Sequence, residues 1–360
     1  MPAVTVKTEK PYEVKIETGL LGEAGRELLP FLAPGGRVFL LTDENTGRLF
    51  GGTVTRSLEK EKIPVTACSV PAGEGSKSLS VLETVLRALA AAHFTRDDLF
   101  VSLGGGMVSD LGGLAAALFG RGMGFAALPT TLLAALDASV GGKNAVNLPE
   151  GKNLAGTVRQ PLLVLFDPDT LKTLSPRLIS DGMAEAVKEA MLGAPGLMEE
   201  VMSPSPGWEH LAECAVAYKA RLVERDPEDR GERRLLNLGH TVGHALEQAS
   251  GYRLLHGEAV ALGLMAVTRS EVKAGRCDPA ALSKLRAALL RWNLPTEYEG
   301  RAEDLLPYLK NDKKHTGNTL VMVLPRSFGD CRLCPVGEDY LRELLAAGLP
   351  DEAGKKEAAP

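Results

Sequence analysis

Three of the six histidines fall within one short stretch of the chain, a concentration that indicates a metal site. The segment LLNLGHTVGHALE (235–247) predicts a helix on which four polar residues share one face, at positions i, i+3, i+4 and i+7: Asn237, His240, Thr241 and His244. Histidines four residues apart can both reach one divalent cation, as in zincin helices. The sequence HTVGH has no glutamate after its first histidine, so the general base of a metalloprotease is missing.

Further candidate metal ligands lie outside this segment. His256 follows in LLHGEAVALGL, and SDGMAEAVKEAM (180–191) offers Glu185. One glutamate and two histidines suit Zn²⁺ and leave a coordination position for a substrate oxygen. Spacing alone leaves open which two histidines bind. The alternative is a set of core histidines, which is disfavoured because Asn237 and Arg233 stand beside them.

A glycine-rich turn predicts a phosphate site. SLGGGMVSDLGG (102–113) follows an apolar strand and opens a helix, so backbone amides and the helix dipole can face an anion. Asp43 ends an earlier strand and could accept hydrogen bonds from a ribose diol, which favours NAD over NADP. The alternatives are a glycine turn required only for packing and, for Asp43, a helix cap. GEGSK (73–77) and Pro129-Thr130-Thr131 place polar groups at two further strand ends, which together predict a ligand crevice.

A cluster of lysines and amides suits an anionic substrate. VGGKNAVNLPEGKNLAGT (140–157) contains Lys143, Asn144, Lys152 and Asn153, which we predict to lie on loops because glycine and proline interrupt the sequence. A solvated surface loop is the alternative. Asp137 stands in the apolar run TTLLAALDASV, where a carboxylate requires a partner, most naturally a lysine.

The elements that must position these residues divide the chain into two parts. Strand signals at 36–43, 63–70, 98–103, 124–129 and 162–166 alternate with helical ones, which predicts a parallel sheet covered by helices. Helical periodicity dominates 183–291, and TLVMVLP (319–325) predicts one late strand. We therefore expect an α/β domain at 1–175, a helical domain at 176–350 and a disordered tail at 351–360. The alternating amino end predicts an edge hairpin.

Composition excludes several classes of protein. The 360 residues carry a net charge of −5, opposite to the balance of a non-specific nucleic-acid binder. No stretch reaches the ~20 apolar residues of a membrane helix, and MPAVTVKTEK lacks the apolar region of a secretory signal. Five cysteines without framework spacing predict a reduced, cytoplasmic protein. Cys331 and Cys334 form a lone C-x-x-C, which we interpret as two buried small residues on a strand rather than a redox pair.

Seven motifs, taken in order along the chain, form a series that can be compared with known families. Between residues 36 and 325 the chain contains, in order, GGGMVSD, PTTLLAALDASVGGKNAVN, GKNLAGT, MAEAVK, NLGHTVGHALE, LHGEAVALG and KNDKK. In the order and sequence of these motifs, the chain resembles the 3-dehydroquinate synthase family of sugar phosphate cyclases. The resemblance implies a Rossmann-like α/β NAD-binding domain followed by an all-α metal-binding domain, as in glycerol dehydrogenase. It also implies a Zn²⁺ (or Co²⁺) site of Glu185, His240 and His256, with His244 facing the substrate instead of binding the metal.

The resemblance further implies two sets of contact residues. NAD would be contacted by Asp43, Asn45, Glu74, Lys77, Gly105, Gly106, Asp110, Thr130 and Thr131, with Thr170 and Thr173 nearby. The substrate and its chemistry would involve Asp137, Lys143, Lys152, Asn153, Lys188, Lys219, Arg233, Asn237, His244 and either Lys313 or Lys314, with Lys314 preferred. Arg121 would reach the site of a neighbouring subunit, which implies a homodimer.

The implied reaction belongs to the shikimate pathway of aromatic amino-acid biosynthesis. It converts 3-deoxy-D-arabino-heptulosonate 7-phosphate to 3-dehydroquinate and phosphate through transient oxidation by NAD, phosphate elimination, re-reduction and an intramolecular aldol closure. Three alternatives remain: a related sugar phosphate cyclase, a metal-dependent polyol dehydrogenase of the same fold, and a catalytically silent NAD- or metal-binding protein. The lysine-rich segment 143–153 disfavours the dehydrogenase, because a neutral polyol needs no such charge.

Overall fold

The computed structural model describes residues 3–310, 315–316 and 319–349. The chain forms two compact units. The first unit comprises Met1–Ser175 and Trp208–Glu228, and the second comprises Pro176–Gly207 and Asp229–Pro360. Residues 208–228 therefore group with the first unit although they follow part of the second in sequence, an arrangement that a single boundary near residue 175 does not represent.

A seven-stranded sheet forms the centre of the first unit. In spatial order its strands are β1 (Ala3–Val6), β2 (Tyr12–Ile16), β9 (Leu163–Phe166), β6 (Gly124–Pro129), β5 (Leu99–Gly104), β3 (Val38–Asp43) and β4 (Val65–Val70). Neighbouring strands are parallel except where β1 pairs with β2. Every residue of β3, β5 and β9 is buried, as expected for parallel strands covered on both faces.

Helices and one hairpin complete this unit. The helices are α1 (Ala24–Leu28), α2 (Glu44–Thr46), α3 (Gly52–Lys60), α4 (Leu79–Ala91), α5 (Gly106–Leu118) and α8 (Trp208–Arg225). The loop prediction for residues 143–153 is wrong, because β7 (Lys143–Leu148) and β8 (Gly151–Val158) form an antiparallel two-stranded sheet. Glycine permits this pairing: a Cβ at Gly156 would lie 2.3 Å from the Asn144 carbonyl oxygen across the hairpin.

The second unit is mainly helical. It contains α6 (Pro176–Met191), α7 (Leu197–Met202), α9 (His240–Ala249), α10 (His256–Lys273), α11 (Pro279–Arg291), α12 (Leu306–Lys310) and α13 (Glu338–Gly348). A three-stranded antiparallel sheet, ordered β10-β11-β12, is added to the helices: β10 (His315–Thr316), β11 (Thr319–Ser327) and β12 (Asp330–Val336). A shared apolar core includes Val242 of α9, Leu262 of α10, Met322 of β11 and Leu344 of α13.

Glycines allow the helices that carry the predicted metal ligands to approach closely. A Cβ at Gly257 of α10 would lie 2.1 Å from the Asp181 carbonyl oxygen of α6. Likewise, a Cβ at Gly263 would lie 2.0 Å from the carbonyl oxygen of Gly239, which precedes α9. Side chains larger than hydrogen at these positions would push the helices apart, so the backbone itself sets the distance between them.

Several sequence predictions are confirmed at the level of elements. The predicted strands of the first unit, the late strand and the edge hairpin all exist. The single helix face expected for Asn237 and His244 is wrong, because Gly239 has φ 78° and α9 begins only at His240. Cys331 and Cys334 lie on β12 as predicted, but both are half-buried where full burial was expected. Strand geometry separates their Cα atoms by about 10 Å, beyond the reach of a disulfide.

None of the helices in the described residues combines the length and apolar character that crossing a membrane requires.

Candidate functional site

Three side chains of the second unit converge on one point. Nε2 of His240 lies 3.4 Å from Glu185 Oε1, and Nε2 of His256 lies 3.5 Å from the same oxygen. Glu185 belongs to α6, His240 begins α9 and His256 begins α10. All three are suitable metal ligands, with donor atoms within 4.8 Å of one another. Spacing in sequence could not show which pair of histidines meets the carboxylate, because the pair comes from two different helices.

The second nitrogen of each ring faces a protein acceptor. Nδ1 of His240 lies 3.2 Å from the Leu238 carbonyl oxygen, and Nδ1 of His256 lies 3.6 Å from Glu247 Oε2. A carbonyl oxygen can only accept, so Nδ1 of His240 carries the hydrogen and the Nε2 lone pair is directed toward Glu185. This is the usual arrangement around metal-binding histidines.

The carboxylate at the centre of this cluster favours a cation. Glu185 Oε1 is buried and makes no hydrogen bond within the described part of the chain, whereas Oε2 contacts the Lys188 ammonium group. Burial alone would raise the pKa of Glu185, but Lys188 and the two histidines outweigh it and hold this pKa well below its usual range. A carboxylate that stays ionised and a buried oxygen without a donor fit a divalent ion.

Without a bound metal ion, the pKa values of His240 and His256 shift in opposite directions. Burial lowers the pKa of His240 well below its usual range despite the adjacent Glu185. Burial would also lower the pKa of His256, but the Glu185 and Glu247 carboxylates raise it to about 10. A proton on His256 therefore supplies the positive charge that a metal ion would supply on binding.

Other predicted residues lie around this cluster. The His244 ring centroid is 5.5 Å from that of His240 and 6.2 Å from that of His256. Arg233 is buried in a short 3₁₀ helix, and Asn237 ends that helix with its side-chain amide donating to the Arg234 carbonyl oxygen. Lys313 and Lys314 lie outside the described residues.

In the first unit, the glycine-rich turn sits where β5 passes into α5. Gly105 is the N-cap of α5, and no side chain caps the helix. The backbone amides of its first turn are therefore left for another acceptor. A Cβ on Gly105 would come within 3.1 Å of the Thr131 side chain, and one on Gly106 within 3.4 Å of the Ala138 Cβ. The turn is thus both closely packed and suited to an anion.

A buried ion pair lies behind this turn. The Lys77 ammonium group contacts Asp110 of α5, and Lys77 is only 6% exposed. Burial raises the pKa of Asp110 to about 6, although Lys77 acts in the opposite direction. The spacing of the predicted nucleotide contacts did not indicate that these two residues would pair.

The strand ends beside the turn carry polar groups of two kinds. Asp43 caps α2 by accepting from the amides of Asn45 (2.8 Å) and Thr46 (2.9 Å), so the helix-cap alternative describes its local bonding. Thr130, at the end of β6, is buried, and its hydroxyl has no hydrogen-bond partner among the described residues. Such a hydroxyl is suited to a ligand that both donates and accepts.

The remaining predicted nucleotide contacts differ in exposure. Asn45, Glu74 and Thr173 are exposed, and Glu74 accepts from the side-chain amide of Asn147 at 2.8 Å. Thr170 is buried and donates to the Asp167 carbonyl oxygen, and Thr173 donates to the Thr170 carbonyl oxygen.

Asp137 has the lysine partner that its sequence context predicts. Asp137 lies in a short π-helical segment, Ala134–Ala138, and its Oδ1 is 2.5 Å from Nζ of Lys219 on α8. On the hairpin, Lys143 is exposed, Lys152 is half-buried, and Asn153 adopts φ 54° while its amide donates to Asn147.

Arg121 is exposed at the end of a 3₁₀ turn after α5, with φ 65°.

One buried carboxylate was missed by sequence reasoning. Glu247 lies three residues after His244 and is 2% exposed. The available signal was its position on the histidine-bearing face of α9, at i+7 from His240, but a glutamate in a charged helix is usually solvated.

Comparison with known proteins first defines the class. The structure superposes on 2-deoxy-scyllo-inosose synthase, solved with carbaglucose-6-phosphate, NAD⁺ and Co²⁺, with a TM-score of 0.87 at 22% identity over 97% of this chain and 100% of that chain. It also superposes on 2-epi-5-epi-valiolone synthase of Streptomyces hygroscopicus subsp. jinggangensis 5008, solved with NAD⁺ and Zn²⁺. That TM-score is 0.82 at 28% identity, over 96% of this chain and 97% of that chain. The fold is therefore that of the sugar phosphate cyclases.

Sequence comparison identifies the family. Residues 67–181 match the family model of the 3-dehydroquinate synthase N-terminal domain, and residues 182–315 match that of its C-terminal domain. The 3-dehydroquinate synthase of Paracoccus denitrificans (strain Pd 1222) is 40% identical over 353 residues, 94% of this chain and 96% of that protein. The chain belongs to the 3-dehydroquinate synthase family.

Proposed function

We propose that the chain converts 3-deoxy-D-arabino-heptulosonate 7-phosphate to 3-dehydroquinate and phosphate. Membership of the family supports this, and so does one observation: His240 and His256 both direct Nε2 toward the buried, ionised Glu185. This donor set suits Zn²⁺ or Co²⁺ and leaves a position for a substrate oxygen. When bound, NAD⁺ would supply a reversible hydride acceptor and the metal ion a Lewis acid.

The metal-side residues of the chain have distinct roles in this proposal. Glu185 and the two histidines hold the cation. Lys188 contacts Glu185 and keeps that carboxylate ionised. Arg233, buried in the same unit, provides a fixed positive charge for a substrate carboxylate. His244 stands beside the ligands without sharing their oxygen and is assigned to proton transfer with the substrate.

The nucleotide side of the proposal lies in the first unit. The uncapped first turn of α5 would bind the pyrophosphate of NAD, and the Thr130 hydroxyl would complete its bonding with the ligand. Asp43, already bonded as a helix cap, retains a second carboxylate oxygen for a ribose hydroxyl. Lys143, Lys152 and Asn153 on the hairpin are assigned to the substrate phosphate.

Four further assignments complete the proposal. Zn²⁺ is the metal, and the reaction is a step of the shikimate pathway. The protein is a homodimer in which Arg121 of one protomer serves the neighbouring site. The compartment is the cytoplasm, which agrees with five cysteines, all within the described residues, that form no disulfide bond.

The decisive experiment is incubation with the heptulosonate phosphate, Zn²⁺ and a catalytic amount of NAD⁺. We expect one phosphate released per substrate, 3-dehydroquinate as the identified product, and no net change in nicotinamide absorbance. Net NADH formation without phosphate would indicate a polyol dehydrogenase. A cyclic product from another sugar phosphate, with no turnover of the heptulosonate, would indicate a related cyclase. Binding of NAD or metal without turnover would indicate a silent protein.

A further inference from the structure

Glu247 is a buried carboxylate to which the proposed reaction assigns no task. It lies on α9 with 2% of its surface exposed, and its Oε2 is 3.6 Å from Nδ1 of His256. Burying an ionised carboxylate is costly unless it is paired. Its position beside a proposed metal ligand therefore requires an explanation.

The α9 helix links the two histidines of the cluster. His240, His244 and Glu247 occupy positions i, i+4 and i+7, so they lie along one face. The helix thus supplies His240 directly and, about two turns further on, the carboxylate that faces the ring of His256. One rigid element therefore controls both imidazoles.

The backbone of His256 is fixed independently of its ring. His256 is the first residue of α10, where Asp181 accepts from the Gly257 amide at 2.6 Å. Glu258 accepts from the Leu255 amide at 2.9 Å. These bonds hold the start of the helix but leave rotation about the side chain undetermined. An acceptor at Nδ1 is the contact that determines how the ring faces Glu185.

We propose that Glu247 is a positioning residue for the metal centre: its carboxylate faces Nδ1 of His256 at ion-pair distance and thereby presents Nε2 to the cation held by Glu185 and His240. The Leu238 carbonyl oxygen performs the same task for His240. This inference rests on the metal site of the proposed function. Removing a residue that orients a metal-binding histidine typically weakens metal binding by about 10- to 100-fold.

A second reading of the same residues is a second cation site. His244, Glu247 and His256 also bring donor atoms within 4.8 Å of one another. A neutral imidazole has only one lone pair for coordination, however, so His256 cannot bind one ion through Nε2 and another through Nδ1. Shared use of His256 therefore favours one metal ion with Glu247 outside its coordination sphere.

The test is metal binding to the purified, metal-free protein, measured with Co²⁺ and Zn²⁺ in competition with a chromophoric chelator. The variants are Glu247→Ala, Glu247→Gln and, as a matched control, Glu271→Gln. Glu271 is equally buried on α10 and bonds to Arg276 and Tyr340, away from the histidines. Circular dichroism establishes that each variant is folded.

We expect one equivalent of metal in the wild type and a Kd weaker by about 10- to 100-fold for Glu247→Ala. Glu247→Gln should lose less, because its amide oxygen still faces Nδ1 while the negative charge is gone, and its Co²⁺ absorption bands should shift. The control should bind as the wild type does. A purely structural role would affect Glu247→Gln and Glu271→Gln alike, with no change in the Co²⁺ spectrum.

Three results would overturn the inference: wild-type affinity in Glu247→Ala, two metal equivalents that fall to one in that variant, or equal losses in both glutamine variants. If Glu247→Ala does not fold, the Glu247→Gln variant provides the test. Wild-type metal affinity together with a wild-type Co²⁺ spectrum in that variant would contradict the inference. Failure of the proposed function would give a result different from these outcomes. In that case the wild type binds no metal, or Glu185→Ala retains it.

Discussion

Lys219 Nζ lies 2.5 Å from Asp137 Oδ1 and also donates to the backbone carbonyl oxygen of the same residue. The lysine side chain is 5% exposed and the aspartate side chain 30% exposed. The pair joins α8 to a π-helical segment of the same unit, although the two residues are 82 positions apart in sequence.

The unequal burial of this pair predicts unequal costs of substitution. Asp137→Asn removes the carboxylate that faces a deeply buried ammonium group and should lower the free energy of unfolding by about 3 kcal/mol. Lys219→Met leaves a carboxylate that water can still reach, so about 1 kcal/mol should be lost. Urea unfolding of both variants and of the double variant measures the two costs and their coupling. Equal losses from the two single variants would contradict the assigned burial.

The contact between Gly263 and Gly239 predicts that one methyl group disturbs the metal centre. Gly263→Ala would place a Cβ 2.0 Å from the Gly239 carbonyl oxygen, so α9 and α10 must separate. We expect a loss of about 3 kcal/mol in the free energy of unfolding, together with weaker Zn²⁺ binding.

Gly51→Ala is the matched control, because Gly51 has helical dihedral angles and no atom lies within 4 Å of the point where a Cβ would stand. That substitution should stabilise the protein by up to about 1 kcal/mol through helix propensity. If both variants changed stability in the same direction, the close approach of α9 and α10 would not be limiting.

The raised pKa of Asp110 predicts a pH-dependent contribution to stability. Its pKa is about 6 in the folded chain, above the ordinary aspartate value of 3.8, so the folded state holds this proton more tightly than the unfolded state does. The contribution is complete below about pH 4 and is lost as the pH rises through about 6.

The wild type should therefore lose stability relative to Asp110→Asn between about pH 4.5 and about pH 7, measured by urea unfolding at each pH. A constant difference between the two proteins across this range would mean that Asp110 titrates normally.

The two histidines of α9 should differ in what their removal does. His240→Ala should lose both the bound metal and phosphate release, because its Nε2 faces Glu185. His244→Ala should retain one metal equivalent and lower kcat by about 100-fold or more, as expected for loss of a proton-transfer group. Elemental analysis and a phosphate-release assay separate these outcomes. Loss of the metal in both His240→Ala and His244→Ala would instead indicate that these two histidines, at i and i+4, are metal ligands.

The sequence was sufficient for elements whose signal is local. Parallel strands buried on both faces are continuous apolar runs, so β3, β5 and β6 could be located within about two residues. The hairpin β7–β8 was missed because its glycines and proline are typical of loops, whereas here Gly156 permits close strand pairing. The partner lysine of Asp137 was predictable in type but not in position.

The metal centre shows the same limit. Spacing grouped His240 with His244, which do share α9, but the second imidazole that faces Glu185 is that of His256, which belongs to another helix. Family resemblance named Glu185, His240 and His256 in advance, and the structure brings these three side chains together. Glu247 had no local signal, because the ring that it faces is contributed by α10. Contacts between distant elements are what sequence pattern cannot supply.

The grouping of residues 208–228 with the first unit has a practical consequence for anyone dissecting this protein. The polypeptide passes from one unit to the other after Ser175, again after Gly207 and a third time after Glu228. A fragment truncated at Ser175 would keep Asp137 but lack the helix that donates Lys219 to it. The first unit is thus not a freestanding N-terminal module, and anyone isolating it must join the α8 segment to the first 175 residues.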